Sequence, residues 1–358
     1  MLILAACGGG GDNGGSTPSG SSGGGSVADI DQTFTFQYVC VNRTLLPCQL
    51  VQQFIDAVDE RTDGKVEIQI SSYPELGISG FDMIRLLEDG SVGLGEIYSG
   101  FVGGEYPVFD VGNLWGLFTS TEQYYEAVDA LNDDMKRVVT EKTQGGKVVA
   151  FNFYPSNFFF TKQPLEALKD FEGVRTRSHS NVLSDLVNEL GGDAQTMAFA
   201  EVYTALERGI LDGAVTCSTC GFGQKWNEVT DYLTGPIPGS FAQTFITFNS
   251  KEWESMPPIF QQIITEEGAN HTARARTEAA KWDTQGVGQL VEGGMKYSEF
   301  TQEMLDVIGS AGEKAVLPRW VGRAGGYGSE GVDLYNEKIA AITGLRVNPD
   351  NTVTNIGR

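Results

Sequence analysis

The chain has 358 residues, of which 41% are hydrophobic, and its formal net charge is -22. This length and hydrophobic content predict two domains of ordinary size, each with a packed core. The acidic surface argues against nucleic acids and anionic lipid headgroups as partners, because like charges repel.

The N-terminal residues have the features of an exported, tethered protein. Leu4-Ala5-Ala6-Cys7 looks like a bacterial lipobox, in which the cysteine is lipidated and becomes the first mature residue. The charged and long apolar segments that normally precede a lipobox are missing, so we interpret residues 1–7 as a truncated signal remnant. The alternative is a chance match. Residues 8–31 are dominated by Gly and Ser over most of their length and are expected to form a flexible linker.

The remaining cysteines are Cys40, Cys48, Cys217 and Cys220, an even number that favours disulfides in an exported protein. The simplest pairing is Cys40 with Cys48 and Cys217 with Cys220, although the sequence leaves three connectivities open. Two alternatives exist for Cys217-x-x-Cys220. It is also compatible with a redox motif, or with half a zinc site that Cys40 and Cys48 would complete. No later stretch is apolar enough to span a bilayer.

The first half of the chain alternates between strand and helix patterns. Strands are predicted at 34–39, 65–70, 92–98, 147–153 and 157–161, and helices at about 48–62, 80–89 and 121–138. The opening β-α-β-α-β order predicts an α/β lobe. The break at Tyr154-Pro155 is where we expect the chain to cross into a second lobe.

The stretch from Phe171 to Ala214 reads as strand, helix, helix, strand, which favours a parallel sheet. A strand at 241–249 is expected to return to the first lobe. A helical pattern then continues to about Val291, a length of about 50 Å at 1.5 Å per residue. Gly268, Gly286 and Gly288 argue against an unbroken helix there. Further helices are predicted at 299–308 and 331–341, followed by a frayed end.

A set of motifs in the central stretch resembles the solute-binding proteins of TRAP transporters, the DctP family. The matching residues are Gly173, Arg175, Arg177, Gly191, the run Met197-Ala-Phe199-Ala-Glu201-Val-Tyr203-Thr-Ala-Leu206, and Asp212-Gly213. The resemblance extends from about Phe34 to about Gly309. It implies a two-lobed α/β periplasmic-binding-protein fold with mixed, mainly parallel sheets and a long helix bracing both lobes. We assign 32–156 and 242–285 to lobe I, 157–241 and 286–345 to lobe II, and 346–358 to a tail.

The resemblance implies an extracytoplasmic receptor that captures a carboxylate-containing organic acid between its lobes and delivers it to a TRAP membrane permease. Such a receptor needs no cofactor, and together with the lipobox it implies a periplasmic or cell-surface lipoprotein. An enzyme is not indicated, because the chain's two histidines, His179 and His271, lie in no metal or nucleophile motif. The alternatives are an exported thiol-disulfide or zinc protein using Cys217 and Cys220, and the ligand-binding subunit of a signalling receptor.

Three residues are carried over from the family as ligand contacts. Arg177 matches the arginine that binds the carboxylate, and a guanidinium suits this task because it binds bidentately. Its alternative is an ordinary salt bridge. Phe199 matches an aromatic that packs on the ligand, with a core position as the alternative. Asn157 falls where many members have a second arginine, which favours a monocarboxylate or a smaller polar contact. Arg175 is expected to point away from the cleft.

Further candidates lie at presumed strand ends of lobe I, where ligands bind in open α/β sheets. These are Asn42, Arg43, Glu96 and Tyr98, with Tyr98 the strongest and an ordinary loop role the alternative for each. His179 is expected at a solvent-facing helix start, with a ligand contact as the alternative because it closely follows Arg177, and Trp226 is expected in the core. Val215 and Thr216 replace an acidic and an aromatic residue of keto-acid-binding members, which argues against a metal-bridged ligand.

Overall fold

A computed structural model describes residues 26–357 of the chain. Cys7, residues 1–7 and most of the predicted linker therefore lie outside the described residues. The last residues of that linker are ordered, since Val27–Asp29 forms a 3-10 turn capped by Ser26. The Lys65 ammonium donates a hydrogen bond to the Val27 carbonyl at 2.7 Å, so the turn packs on lobe I.

Thirteen strands are present in the described part of the chain, and most coincide with predicted ones. They are β1 (Phe34–Cys40), β2 (Val66–Ser72), β3 (Leu94–Tyr98), β4 (Lys147–Tyr154), β5 (Asn157–Thr161), β6 (Arg175–Ser178), β7 (Asp193–Thr196), β8 (Gly213–Cys217), β9 (Tyr232–Thr234), β10 (Ala242–Phe248), β11 (Lys296–Ser298), β12 (Leu345–Val347) and β13 (Val353–Asn355). The short strands β7, β9 and β11 were not predicted, because three or four residues carry too little alternation to recognise.

The α-helices of the same region number fourteen. They are α1 (Leu46–Arg61), α2 (Tyr73–Leu76), α3 (Met83–Glu88), α4 (Ser99–Val102), α5 (Thr121–Lys142), α6 (Asn181–Glu189), α7 (Val202–Glu207), α8 (Ser218–Gly223), α9 (Ser250–Ser255), α10 (Pro258–Glu292), α11 (Gln302–Ala311), α12 (Leu317–Arg323), α13 (Glu330–Leu334) and α14 (Ala340–Thr343). Two π-helical turns, at 312–316 and 335–339, continue α11 into α12 and α13 into α14.

Two sheets form the centres of two lobes, as the α/β prediction requires. The lobe I sheet has the order β2-β1-β3-β10-β4, and the lobe II sheet has the order β11-β9-β5-β8-β6-β7. In lobe I, β1 is parallel to β2 and β3, whereas β10 is antiparallel to β3 and β4. In lobe II, β6 is parallel to β7 and β8, and β5 is antiparallel to β8. Both sheets are therefore mixed, because each includes a strand that enters directly from the other lobe.

The long helix expected from the sequence is present as α10, and it runs unbroken past all three glycines that weakened that expectation. Gly268 and Gly286 are the points where its backbone touches the lobes. A Cβ on Gly268 would lie 2.0 Å from the Val149 carbonyl oxygen of lobe I, and one on Gly286 would lie 2.3 Å from the Ser218 hydroxyl of lobe II. The helix thus braces both lobes at two close approaches, which only residues without a side chain permit.

These contacts predict that Gly→Ala substitutions lower the stability of the protein at positions 268 and 286 of α10 and raise it at position 288. Gly268→Ala and Gly286→Ala are expected to lower the free energy of unfolding by about 1–3 kcal/mol, because an added methyl overpacks each contact. Gly288 is exposed, and its added Cβ would meet no described atom within 4 Å. Gly288→Ala should therefore raise stability by about 0.5–1 kcal/mol through helix propensity. Denaturant unfolding of the three variants measures this, and equal effects at all three sites would contradict the assignment.

The C-terminal region differs from the lobe boundaries drawn from the sequence. The Trp320 indole N–H donates to the Pro107 carbonyl of lobe I at 2.7 Å, and Arg137 of lobe I pairs with Glu330 at 2.9 Å. On the other side, Arg323 pairs with Asp185 of lobe II at 2.6 Å. The segment therefore contacts both lobes, whereas 286–345 was assigned to lobe II alone.

The predicted frayed tail is also structured. Strands β12 and β13 form an antiparallel hairpin in which Leu345 and Val347 are buried. Within the described residues, no helix combines the length and the apolar character that crossing a membrane requires.

Candidate functional site

A cavity lies between the two lobes. Lobe I contributes residues that follow β1 or end β3 and β4, and lobe II contributes residues of β5, β6, β8 and α8. The lining residues are Val41, Leu45, Tyr98, Phe101, Tyr154, Asn157, Arg177, His179, Phe199, Thr216, Cys217, Cys220 and Ala242. The cavity lies at strand ends of both sheets, where open α/β sheets place their ligands.

Arg177 lies on β6 and its side chain is almost fully buried, with 1% of its surface exposed. Its Nε donates to the Met197 carbonyl at 3.0 Å and its Nη1 donates to the Val215 carbonyl at 3.2 Å. Nη2 is buried and has no hydrogen-bond partner among the described atoms. Burial lowers the pKa of Arg177 to about 10, so the guanidinium remains charged at neutral pH. A buried cation with a free N–H at a cavity wall is suited to receive an anion.

Phe199 packs against both the Arg177 guanidinium and the indole of Trp226. The Arg177 guanidinium lies 5.6 Å from the centre of the Phe199 ring, within range of a cation–π interaction. The same ring packs on Trp226 at 5.5 Å, and Trp226 is fully buried in the lobe II core as expected. Phe199 therefore lies at the edge of the lobe II core and lines the cavity, while its contact with a ligand stays a prediction.

Asn157 also lines the cavity, at the point where the chain crosses into lobe II. Its Nδ2 donates to the Ser240 carbonyl at 2.5 Å, and its backbone N–H donates to the Ser240 hydroxyl at 2.8 Å. These bonds link the two chain segments that pass between the lobes, one just before β5 and the other just before β10. The Asn157 side chain is thus held in place and adds no charge to the cavity.

Tyr98 and His179 meet across the cleft, one from each lobe. The Tyr98 hydroxyl lies 3.2 Å from His179 Nε2, and both side chains line the cavity. His179 is 4% exposed, so the solvent-facing position expected from the sequence is wrong. The reason is tertiary, because the aromatic rings that cover the imidazole all belong to lobe I. Their centres lie 5.2 Å (Tyr98), 5.6 Å (Trp115) and 6.3 Å (Phe101) from that of the imidazole.

The other three candidates from lobe I lie away from the cavity lining. Glu96 is fully buried behind it, where its carboxylate accepts hydrogen bonds from Thr244 Oγ1 at 2.6 Å and from the Val41 N–H at 3.1 Å. Arg43 points to the surface and pairs with Glu75 at 3.1 Å. The Asn42 side chain accepts a hydrogen bond from the Thr44 N–H at 3.0 Å and shapes the loop. These three side chains therefore contact other parts of lobe I and do not reach the cavity, because residues at the ends of neighbouring strands do not all face the cleft.

Arg175 is separated from Arg177 by one residue, but the two side chains have different partners. Arg175 pairs with Asp212 at 2.7 Å outside the cavity, so it points away from the cleft as expected. Strand alternation alone would give the two arginines the same face, so their partners distinguish them: Asp212 and the Gly209 carbonyl hold Arg175, whereas the Met197 and Val215 carbonyls hold Arg177.

All four described cysteines are in disulfides, Cys40 with Cys48 and Cys217 with Cys220. This is the simplest pairing that the sequence allowed. The second disulfide closes the turn into α8 and contributes to the cavity wall. In residues 26–357, no cluster of three or more His, Cys, Asp or Glu side chains has the arrangement of a metal site.

Comparison with known proteins identifies the family. A family model described as "Bacterial extracellular solute-binding protein, family 7" (DctP) matches residues 43–317. The chain is 28% identical over 234 residues to the uncharacterized protein YiiZ of Salmonella typhimurium, covering 63% of this chain and 68% of that protein. It is 26% identical over 199 residues to a C4-dicarboxylate-binding periplasmic protein, DctP, of Rhodobacter capsulatus, covering 54% and 59%.

Solved structures share the fold at lower identity. DctP7 of Bordetella pertussis, an extracytoplasmic solute receptor that binds pyroglutamic acid, superposes with a TM-score of 0.77 at 22% identity, covering 85% of this chain and 99% of that one. A TRAP periplasmic solute-binding protein from Desulfovibrio salexigens with bound orotic acid gives 0.78 at 21%, covering 87% and 100%. The model match spans most of the chain, and the chain belongs to family 7 of the bacterial extracellular solute-binding proteins, the DctP family, whose members are receptors and not enzymes.

Proposed function

We propose that this protein is the extracytoplasmic receptor of a TRAP-type transporter and captures a carboxylate-containing organic acid between its lobes. The observation that carries the proposal is the buried Arg177 guanidinium, whose Nη2 is without a partner at the wall of the interlobe cavity. One carboxylate oxygen would accept from this N–H. Arg177 is the carboxylate anchor in this scheme, and solved relatives that bind pyroglutamic and orotic acids are consistent with a carboxylate ligand.

The remaining lining residues would hold the body of the acid. Phe199 would pack beside it from lobe II and Tyr98 from lobe I, while Asn157 would offer its side-chain oxygen as an acceptor. Contacts from both lobes matter because a ligand shifts an open–closed equilibrium only if it binds the closed form better. At the cleft mouth, Gln224 of lobe II already donates to the Thr44 hydroxyl of lobe I at 2.7 Å. Glu96, Asn42 and Arg43 would then act by shaping the loops around the ligand.

The closed receptor would dock on a TRAP membrane permease, which supplies the energy of transport. Lipidation at Cys7 would hold it at a membrane in the periplasm or on the cell surface, with the Gly- and Ser-rich segment as a tether. A thiol-disulfide or zinc function at Cys217 and Cys220 is less well supported, because the chain matches a family of solute-binding proteins over residues 43–317.

A thermal-shift screen of the purified, linker-trimmed protein against a library of organic acids tests the proposal. A specific ligand stabilises the folded protein by about 2.7 kcal/mol at a hundredfold excess over its dissociation constant. We expect carboxylic acids to raise the melting temperature in a concentration-dependent manner, whereas the corresponding neutral amides should not. If no acid in the library binds and a neutral compound does, the proposed function is wrong.

A further inference from the structure

We propose that the cleft selects a compact cyclic or aromatic monocarboxylic acid, and that it discriminates against dicarboxylates and against polyhydroxylated acids. This inference rests on the proposed function and names the class of acid. It is carried by the charge of the closed cavity, by the hydrogen bonds that its polar groups already make, and by the rings that form its walls.

The closed cavity carries a single unmatched positive charge. Arg177 is the one Lys or Arg among the described residues that line it. His179 is uncharged at neutral pH, because burial and the nearby Arg177 charge hold the pKa of its imidazole well below 6.5. One ligand carboxylate therefore neutralises the positive charge of the cavity. A second carboxylate would be buried without a counter-charge, which is strongly unfavourable.

The neighbouring acidic groups do not change this balance. Burial raises the pKa of Asp110 to about 8, so its carboxyl holds a proton at neutral pH. Asp185 is paired with Arg323 at 2.6 Å and with Arg319 at 3.6 Å. Glu96 lies outside the lining, and burial raises its pKa. No described cation near the cavity is therefore left over for a second ligand carboxylate.

Several polar groups of the lining already have partners within the protein, whereas Arg177 Nη2 and His179 Nδ1 are buried and have none among the described atoms. The Tyr154 hydroxyl donates to Glu96 at 3.3 Å, the Tyr98 hydroxyl pairs with His179, and the Asn157 amide N–H₂ donates to Ser240. A ligand with several hydroxyl groups would lose its bonds to water and find few replacements. Such a site favours a ligand with few polar groups, of which one binds Arg177 and at most one more reaches His179 Nδ1.

The walls suit a flat, apolar body. Tyr98, Phe101 and Tyr154 approach from lobe I, and Phe199 approaches from lobe II. Tyr98 and Phe101 meet edge to face with their ring centres 4.7 Å apart, which fixes both rings. The Cys217–Cys220 disulfide, Val41 and Ala242 complete an apolar surface. Aromatic walls from both sides of a small cavity favour a ring, which buries its faces without losing internal rotational freedom.

A series of ring-containing acids tests the inference by isothermal titration calorimetry at pH 7.5. The compounds are benzoate and cyclohexanecarboxylate, isophthalate, which adds a second carboxylate to the benzoate ring, and glucuronate, which adds ring hydroxyls. We expect at least one of the first two to bind about a hundredfold more tightly than isophthalate and glucuronate, given the cost of burying an unpaired charge or unmatched hydroxyls. Dicarboxylate or polyhydroxy binding that equals or exceeds theirs would overturn the inference and leave the proposed function standing.

The wider library separates the remaining outcomes. If open-chain acids bind and no cyclic monocarboxylate does, the inference about the ligand class is wrong and the proposed function stands. If no acid in the library binds, both proposals are wrong. Asn157→Arg provides a second, internal test, because it restores a cation at the cavity wall. In that variant the ratio of isophthalate to benzoate affinity should rise at least about tenfold, while the uncharged control Asn157→Leu should leave the ratio near that of the wild type. An unchanged ratio in a folded Asn157→Arg protein would count against the charge argument.

Discussion

Arg177→Met is expected to weaken binding of the acid found by screening by about 30- to 4000-fold, which corresponds to about 2–5 kcal/mol. Methionine keeps the length of the side chain and removes the charge and the free Nη2 donor that faces the cavity. Arg177→Lys should have an affinity between those of the wild type and Arg177→Met, because an ammonium keeps the charge but cannot bond both backbone carbonyls and the ligand in the planar arrangement of a guanidinium. Calorimetry on the purified variants measures the affinity, and circular dichroism verifies that each is folded.

Arg175→Met is the matched control for this series. Arg175 lies on the same strand and pairs with Asp212 outside the cavity, with 44% of its side chain exposed. Its loss should cost at most about 1 kcal/mol of stability, as is usual for exposed ion pairs, and should leave affinity unchanged. Equal losses of binding in the Arg175 and Arg177 variants would indicate a general effect on lobe II and would contradict the assignment of Arg177 as the anchor.

Affinity for the acid is expected to fall as the pH drops below about 6.5, by up to tenfold for each pH unit. His179 causes this dependence. In the closed form its imidazole is enclosed by three rings of lobe I, and burial holds its pKa well below 6.5. In the open form the same imidazole meets water and should titrate near its ordinary pKa of about 6.5. Below that pH, closing must release a proton, which opposes binding. Above it, His179 is neutral in both forms and affinity should be constant.

Dissociation constants measured between pH 5.0 and 8.0 test this expectation in three proteins. His179→Gln should bind with an affinity that hardly changes with pH, because glutamine does not titrate. The groups facing the imidazole, Tyr98 and Arg177, keep their charge states across this range, since burial raises the pKa of Tyr98 and leaves that of Arg177 at about 10. Asp110, beside Tyr98, is the nearby carboxyl that could titrate, with a pKa of about 8, and its effect would persist in His179→Gln.

His271 supplies the control, since it is the only other histidine in the chain. It is buried on α10 against Phe54 of lobe I, away from the cavity lining, and burial lowers its pKa to about 4. Its neutral form is favoured by folding, so its contribution to stability is lost as the pH falls from about 6.5 toward 4. His271→Gln should therefore change acid stability but retain the pH dependence of binding. Loss of that dependence in His271→Gln, or its persistence in His179→Gln, would contradict the role of His179.

The family could be identified from the sequence because its motifs are local patterns of residues. Strand alternation and helical spacing predicted most of the long elements, since burial on one face imposes a period on the residues themselves. The family motif also distinguished Arg175, which pairs with Asp212 outside the cavity, from Arg177, which lines the cavity and whose contact with a ligand stays a prediction. The simplest cysteine pairing was also correct, since the partners are separated by only 8 and 3 residues.

The tertiary structure alone decided which residues face each other across the cleft. His179 was expected in solvent because its own segment is polar, yet the rings that bury it lie more than sixty residues earlier in the chain. Asn42, Arg43 and Glu96 follow or end the predicted strands, but loop direction turns them to the surface or behind the cavity wall. Gly268 and Gly286 lower helix propensity locally, and close packing against Val149 and Ser218 explains their presence. Local sequence determines which segments form strands and helices, whereas distant contacts determine which of their side chains a ligand can reach.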